Sequence, residues 1–160
     1  MSDNNQTQQP GMPTPDPSLK ALDKFVGKWH MSGHLVNSDE ETIKGEVEFG
    51  WLPGNFFFTQ HFHLDFNGLK IESTEFVGFD PETNGLKSAV YSNLSPVPLP
   101  YFWKVDGNKL EIKVNYGPMD STFHGELSED GQTFSGSWRP NPGADTNVNV
   151  AYDISGTRKK

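Results

Sequence analysis

Two histidines, His61 and His63, are the first residues of this sequence whose types and spacing could do chemistry. They lie in the segment GNFFFTQHFHLDF, which runs from Gly54 to Phe66. Residues at i and i+2 of a strand share a face, so the pair could bind one metal ion or divide the roles of acid and base. A metal ion needs further ligands, and Glu72 is poorly spaced to provide one. We therefore expect no metal site and keep His61 and His63 as candidate catalytic residues.

The alternation of side chains in this segment predicts which way the histidines point. The face opposite them carries almost only apolar side chains, with Gln60 as its one polar member. Burial of apolar surface favours placing that face inward, which turns His61 and His63 toward solvent. A bulge that shifts the strand would reverse this assignment and bring both histidines into the interior beside Glu72 or Tyr91.

Glu75 is the other candidate for chemistry, because its neighbours on the same face of its predicted strand are apolar. Those neighbours are Leu69, Ile71, Val77 and Phe79. A carboxylate in such surroundings must be paired, reach water or hold a proton through a raised pKa. We predict that Glu75 lines a cavity and contacts whatever binds there, as a binding or catalytic group, with Arg158 or Tyr152 as an internal partner.

The elements that must position these residues are strands. After a polar tail at residues 1–17, predicted to be disordered, and a short helix with Ser18 as its N-cap that ends at Gly27, the hydrophobic period changes from helical to two. Short joins rich in Asn, Asp and Gly predict an antiparallel meander, which closes most economically into a barrel; a two-sheet sandwich is the alternative. The predicted strands are residues 28–37, 43–52, 55–66, 69–79, 86–94, 100–106, 109–116, 121–128, 132–139 and 147–158.

Composition narrows the classes of function. The chain has 160 residues, of which 13 are basic and 21 acidic, and its net charge of −8 disfavours nucleic acid as a partner. Cysteine is absent, so disulfides and thiolate chemistry are excluded. The polar N-terminus lacks the pattern of a signal peptide, and no stretch approaches the roughly 20 apolar residues of a membrane span. We therefore expect a cytoplasmic protein without a membrane partner.

Three short motifs carry a resemblance to a known family. LDKFVGKW contains a Gly-x-Trp pattern ending at Trp29, VGFD contains a Gly-aromatic-Asp turn with Phe79 where the family usually has Tyr, and SGTR contains Arg158. In these motifs the sequence resembles the bacterial lipocalin-like, or calycin, domains of uncharacterised function. The resemblance implies an all-β, ten-stranded antiparallel lipocalin-like barrel over residues 18–160, in which Trp29 and Arg158 stack and close the barrel.

A more distant resemblance is to the nitrobindin-like haem barrels. Those proteins ligate haem iron through a His near the C-terminus, whereas the last His of this sequence is His124. Since that ligand is missing, the resemblance gives no reason to expect haem, and we expect no cofactor.

Polar residues at inward-facing positions predict a cavity. Buried polar groups are costly unless they are paired or solvated, so several of them converging inside one barrel indicate a space that holds water or a polar-headed ligand. The predicted ligand-binding residues are four aromatic wall residues and three polar residues that orient the ligand: Phe58, Phe62, Tyr101 and Trp103, with Gln60, Glu75 and Tyr152.

Three functions are compatible with these residues. The first is binding of a small hydrophobic or amphipathic molecule in the cavity. The second is an acid/base enzyme of the isomerase, cyclase or lyase type that uses the same cavity, with Glu75 or the two histidines as base. The third is a structural or protein-interaction barrel whose partner is another protein or, in a homodimer, a second copy of the chain.

Overall fold

Ten antiparallel strands and one short helix make up the fold. The structure is a computed structural model that describes residues 11–160, so residues 1–10 of the predicted tail lie outside the described residues. A 3-10 helix, Pro17–Phe25, precedes the strands and is called the N-terminal helix below. The strands are β1 (Gly27–Leu35), β2 (Ile43–Trp51), β3 (Phe58–Phe66), β4 (Leu69–Asp80), β5 (Gly85–Ser92), β6 (Leu99–Asp106), β7 (Lys109–Tyr116), β8 (Met119–Leu127), β9 (Thr133–Pro140) and β10 (Tyr152–Arg158).

The strands close into a barrel. Each strand pairs with its neighbours in sequence, and β1 also pairs with β10, with Trp29 opposite Arg158 and Leu35 opposite Tyr152. The short joins therefore form an antiparallel meander, and the predicted all-β, ten-stranded barrel is confirmed. The two-sheet sandwich is excluded, because a closed sheet has no edge strands.

The N-terminal helix covers one end of the barrel, which we call the closed end; the opposite end is the open end. The buried residues of the N-terminal helix are Leu19, Leu22 and Phe25. They are spaced by three, so they lie on one face of a helix with three residues per turn. That face belongs to a core cluster with residues near the closed end of the strands: Trp29, Phe58, Val77, Leu86, Trp103, Leu110, Ile112, Phe123 and Leu127. No helix in residues 11–160 has the length and apolar character needed to cross a membrane.

The start of the helix differs from the prediction that Ser18 is its N-cap. Asp16 is the N-cap, and its side chain accepts a hydrogen bond from the backbone N–H of Ser18 at 2.9 Å. Pro17 is the first helical residue, a position that suits proline because the N–H it lacks would have no helical partner there.

Two strands begin several residues later than predicted. The third strand starts at Phe58 rather than at residue 55, because Gly54 and Asn55 have positive φ angles of 94° and 61° and form a turn. The last strand starts at Tyr152 rather than at residue 147. The valines that suggested a strand there lie instead in a turn segment on the open end, held by Asn149.

Arg158 joins the closed end to the seam between β1 and β10. Its guanidinium carbon lies 4.3 Å from the centre of the Trp29 ring, a cation–π arrangement. Its nitrogens donate hydrogen bonds to the carbonyl oxygens of Lys24 at 2.8 Å, Val26 and Gly131 at 3.1 Å. The first two carbonyls end the N-terminal helix and have no helical donor, so Arg158 satisfies groups that would otherwise be unpaired.

Gly27 explains why a glycine precedes the tryptophan by two positions. Its φ of 131° is one that other residues rarely adopt, and a Cβ atom there would lie 2.7 Å from a guanidinium nitrogen of Arg158. The Gly-x-Trp motif therefore serves the same contact from both of its ends: glycine makes room for the guanidinium, and Trp29 provides the ring beneath it.

Replacing Trp29 and Arg158 together should reveal their coupling. Trp29→Ala should lower the free energy of unfolding by about 3–5 kcal/mol, since it deletes a core aromatic. Trp29→Ala removes the ring that Arg158 covers. In that background, Arg158→Ala should lower the free energy of unfolding less than it does in the wild type, by about 0.5 kcal/mol or more. Urea unfolding of both single variants and the double variant measures this. The matched control is Arg139→Ala, at the other end of β9, which should be additive with Trp29→Ala; additivity for Arg158 as well would contradict the stack.

Candidate functional site

A cavity of about 410 Å³ lies inside the barrel. It extends from Phe25 and Trp29 at the closed end to Leu69 and Val148 at the open end. Apolar residues form most of its wall, and they include Met31, Val47, Phe49, Phe62, Leu64, Ile71, Val90, Ile112, Val114, Phe123, Phe134 and Ile154. The alternation of each strand places these side chains inside and most of the charged ones outside.

Glu75 is the one carboxylate among the residues of 11–160 that line the cavity. It lies on β4 between Gln60 of β3 and Val90 of β5 in the strand register, and only 3% of it is exposed. Its Oε2 atom accepts hydrogen bonds from the hydroxyl of Ser88 at 2.5 Å and from the indole N–H of Trp103 at 2.9 Å. Both donors belong to the protein interior, so this oxygen has its partners without any ligand.

Burial raises the pKa of Glu75 to about 7, and the hydrogen bonds from Ser88 and Trp103 offset only part of that rise. The physical reason is that the charged carboxylate loses its hydration and no cation replaces it. In residues 11–160, no lysine, arginine or histidine lines the cavity. Glu75 therefore changes its charge near neutral pH, as acid/base and pH-sensitive binding groups do.

The cavity wall also carries the polar side chains of Gln60, Tyr101 and Tyr152. Gln60 lies opposite Glu75 in the strand register, and Tyr101 lies near its charge. Burial raises the pKa of Tyr101 to about 12, with a further contribution from the negative charge of Glu75. Burial, and then the neighbouring Tyr101, also raises the pKa of Tyr152. Both phenols are therefore neutral hydrogen-bond donors at physiological pH. Within the described residues, none of the three side chains has a hydrogen-bond partner, so their polar atoms are available to a ligand.

The structure brings six of the seven predicted ligand-binding residues to the cavity and corrects the seventh. Phe62, Trp103 and the four polar or phenolic residues named above line it. Phe58 does not: it is fully buried near the closed end, stacked on Phe49 at 5.5 Å and edge-on to Trp51 at 5.1 Å. The prediction that Phe58 faces inward is correct, but along the barrel axis it lies on the closed-end side of the cavity.

The predicted internal partners of Glu75 also need correction. Arg158 points into the closed end, where it contacts Trp29 and backbone carbonyls, and it does not reach the cavity. Tyr152 lines the cavity but makes no hydrogen bond to the carboxylate. Ser88 and Trp103, on the two strands beyond β4, are the partners. The sequence predicted Trp103 as a wall residue of the cavity, and this was the available signal for its contact with Glu75.

His61 and His63 lie exposed on the outer face of β3. The register with β2 and β4 is continuous from Phe58 to Phe66, so no bulge turns them inward. The ring of His61 is 3.0 Å from the hydroxyl of Thr74, and His63 lies 3.3 Å from the carboxylate of Glu72. In residues 11–160 there is no group of three or more His, Cys, Asp or Glu side chains placed to hold a metal ion.

Asn149 is a site residue that the sequence reasoning missed. Its side-chain oxygen accepts from the backbone N–H of Asp120 at 2.8 Å and from the hydroxyl of Ser121 at 2.9 Å. Its amide nitrogen donates to the carbonyls of Pro118 and Asp145. These bonds hold the segment with Val148 and Val150 across the open end of the cavity. The signal in the sequence was a lone Asn between two valines, in VNV.

A wider groove of about 840 Å³ lies on the outer surface, across β1, β10, β9, β8 and β7. Its charged side chains already face partners there: His34 lies 3.7 Å from Asp153, and His124 lies 3.2 Å from Glu111. The floor of the groove is made of small residues such as Ser135 and Gly136. Since the groove is open to solvent and water screens its charges, it offers a weaker site than the interior cavity does.

The cavity does not fit a haem held as in nitrobindin-like barrels. That mode needs a histidine on the iron, and in the described part of the chain the five histidines lie outside the cavity. The ionisable groups of the cavity wall are the carboxyl group of Glu75 and the phenols of Tyr101 and Tyr152, so the wall provides oxygen atoms and no imidazole nitrogen.

Comparison with known proteins shows the fold and no more. No protein-family model matches the chain, and no curated protein matches it. Among solved structures, the chain is similar to the crystal structure of Rv2717c from M. tuberculosis, with a TM-score of 0.57 and 15% sequence identity over 91% of this chain and 99% of that one. The shared closed barrel is consistent with a calycin-like fold.

Glu75→Gln should change how stability depends on pH. The pKa of Glu75 is about 7 in the folded protein against an ordinary value of 4.5, so the folded state binds the extra proton between these values. The resulting stability is present below about pH 4.5 and is lost as pH rises through about 7, a change of roughly 3 kcal/mol. Gln keeps the acceptor for Ser88 and Trp103 but has no proton to lose, so it should remove this part of the slope.

Urea unfolding between about pH 5 and about pH 8 measures the effect as the difference between wild type and variant. The matched control is Glu72→Gln, which makes the same change on the exposed face of the same strand. Because the contact of Glu72 with exposed His63 contributes little to stability, this variant should change the slope far less than Glu75→Gln does. Equal slopes for wild type and Glu75→Gln would show that the carboxylate ionises without a burial cost.

Proposed function

We propose that the protein binds one small, largely apolar molecule with a polar end inside its barrel cavity. The carrying observation is an interior space of about 410 Å³ with apolar walls and a few polar groups that lack protein partners. Ligand pockets in proteins typically have roughly 300–1,000 Å³ and this same composition. An ordinary closed core would fill this space with side chains.

The open end of the barrel supports access to that cavity. Four apolar residues there both line the cavity and remain 39–53% exposed: Leu69, Leu94, Val148 and Val150. They form a collar of hydrophobic surface around the opening. Exposed apolar surface around a cleft is typical of ligand-binding sites, because it is covered only when the ligand arrives.

The polar groups inside the cavity would orient the bound molecule. Glu75 and Gln60 face each other in the strand register, and the phenols of Tyr101 and Tyr152 approach from β6 and β10. A ligand whose polar end reaches these groups would leave its apolar part toward the collar. The motifs at Gly27, Trp29 and Arg158 also support membership in the lipocalin-like family, whose barrels enclose cavities of this kind.

A second candidate is acid/base catalysis in the same cavity. The observation that favours it is a buried carboxyl group whose pKa is raised to about 7, the range suited to proton transfer at neutral pH. Glu75 would be the base, and Tyr101 or Tyr152 would stabilise the charge that develops on the substrate. His61 and His63 have no part in this candidate, because they lie outside the barrel.

Filling the cavity should abolish uptake of an apolar molecule. Leu64 and His63 are neighbours on β3, but Leu64 lines the cavity and His63 is exposed. Leu64→Trp should weaken binding of the neutral dye Nile red about tenfold or more, since the larger ring occupies the space the dye needs. His63→Trp adds the same ring outside the barrel and should bind the dye as the wild type does.

Dye fluorescence measures affinity, and circular dichroism checks that both variants are folded. Native mass spectrometry of freshly purified protein adds a second readout, since a retained ligand raises the mass above that of the denatured chain. Equal dye binding by both tryptophan variants would place the dye on the surface and would contradict the proposed function.

A further inference from the structure

The charges of the cavity point to the chemistry of its ligand. Among the residues of 11–160 that line it, Glu75 is the only one that can become charged as the pH passes through neutrality. All other polar lining groups are neutral: amides, hydroxyls, phenols and indoles. A ligand entering this space therefore meets a negative group and no positive one, which is the reverse of a site built for carboxylates.

The two oxygens of Glu75 have different surroundings. Oε2 already accepts from Ser88 and Trp103. Oε1 has no hydrogen bond in residues 11–160. It is not fully buried either, because the only fully buried side-chain oxygen without a partner in those residues is Oγ of Ser73. Oε1 therefore retains contact with the cavity space. Oε1 can therefore accept a hydrogen bond from a donor on a ligand in the cavity.

We propose, resting on the function proposed above, that the cavity selects amphipathic amines, whose ammonium group donates to Glu75 Oε1 while the hydrocarbon part lies along the apolar wall. An ammonium ion replaces the hydration that the carboxylate loses on burial, and each charge reduces the desolvation penalty of the other. Glu75 then has a full set of partners: two from the protein and one from the ligand.

Carboxylate amphiphiles such as fatty acids are disfavoured by the same geometry. A carboxylate bound at this depth would lie beside Glu75, and two like charges in a buried site cannot both ionise without a large penalty. The phenols of Tyr101 and Tyr152 can donate to an anion, but Tyr101 is close enough to Glu75 to feel its charge. The net charge of −8 also favours the approach of cations over anions.

Binding of the amine should depend on pH through Glu75. The groups that face it are Gln60 from β3, Ser88 from β5, and Tyr101 and Trp103 from β6. None of them changes charge between about pH 5.5 and about pH 8. Alkylamines stay protonated over this range, so the loss of affinity on acidification would come from protonation of Glu75.

Three decyl compounds of equal chain length test the proposal: decylamine, decan-1-ol and decanoate, each below its solubility limit and, for the two charged compounds, below the micelle concentration. They are titrated against the protein with bound Nile red at about pH 8 and about pH 5.5. At the higher pH, decylamine should displace the dye at a concentration about tenfold or more below that of decanoate, with decanol between them. At the lower pH, the advantage of decylamine over decanol should shrink severalfold.

Two variants assign the effect to Glu75. Glu75→Gln should remove the preference for decylamine over decanol, and Glu72→Gln, on the outer face of the same strand, should keep it. If Glu75→Gln fails to fold, the order and pH dependence in the wild type still decide the matter.

Decanoate binding as tightly as decylamine would overturn the amine proposal while leaving the binding function intact. Failure of all three compounds to displace the dye would overturn both, because an apolar cavity open to solvent should accept at least the neutral chain. A preference for decylamine that survives in Glu75→Gln would move the selective charge to another group and would also overturn the proposal.

Discussion

Closure of the sheet is the constraint on which the rest of this structure depends. Once β1 pairs with β10, the sheet has no edge strands, and every strand side chain points either into the barrel or out of it. An alternating strand that is displaced by one residue would exchange its two faces, so the register decides the chemistry of the interior. Glu75 is buried and His61 is exposed for this one reason.

The interior holds a group that the fold does not need. An apolar side chain of similar volume at position 75 would avoid the desolvation penalty that the carboxylate carries, and Ser88 and Trp103 offset that penalty only in part. The side chain of Glu75 takes no part in the strand pairing, and its contacts to the core are the hydrogen bonds from Ser88 and Trp103. Polar groups that weaken a fold yet occupy its cavity are typical of binding and catalytic sites, where stability is exchanged for function.

The sequence predicts faces and turns well because both are local properties. Alternation placed Glu75, Gln60 and Trp103 inward, and Asn and Gly residues marked the joins. What it could not predict is depth along the barrel axis, which placed Phe58 beneath the cavity rather than in its wall. It also missed Asn149 and the partners of Arg158, since those depend on backbone groups supplied by distant parts of the chain.

The contact between Arg158 and the end of the N-terminal helix also has a consequence for biosynthesis. It joins Arg158 to the carbonyl of Lys24 across 134 positions of sequence. Hairpins between successive strands involve only short chain closures and can form as each strand emerges, but the seam must wait for the last strand to be translated. Until then the nascent sheet is open along both edges and its apolar face is uncovered. The interval before β10 emerges from the ribosome is therefore when the barrel is most exposed to misassembly.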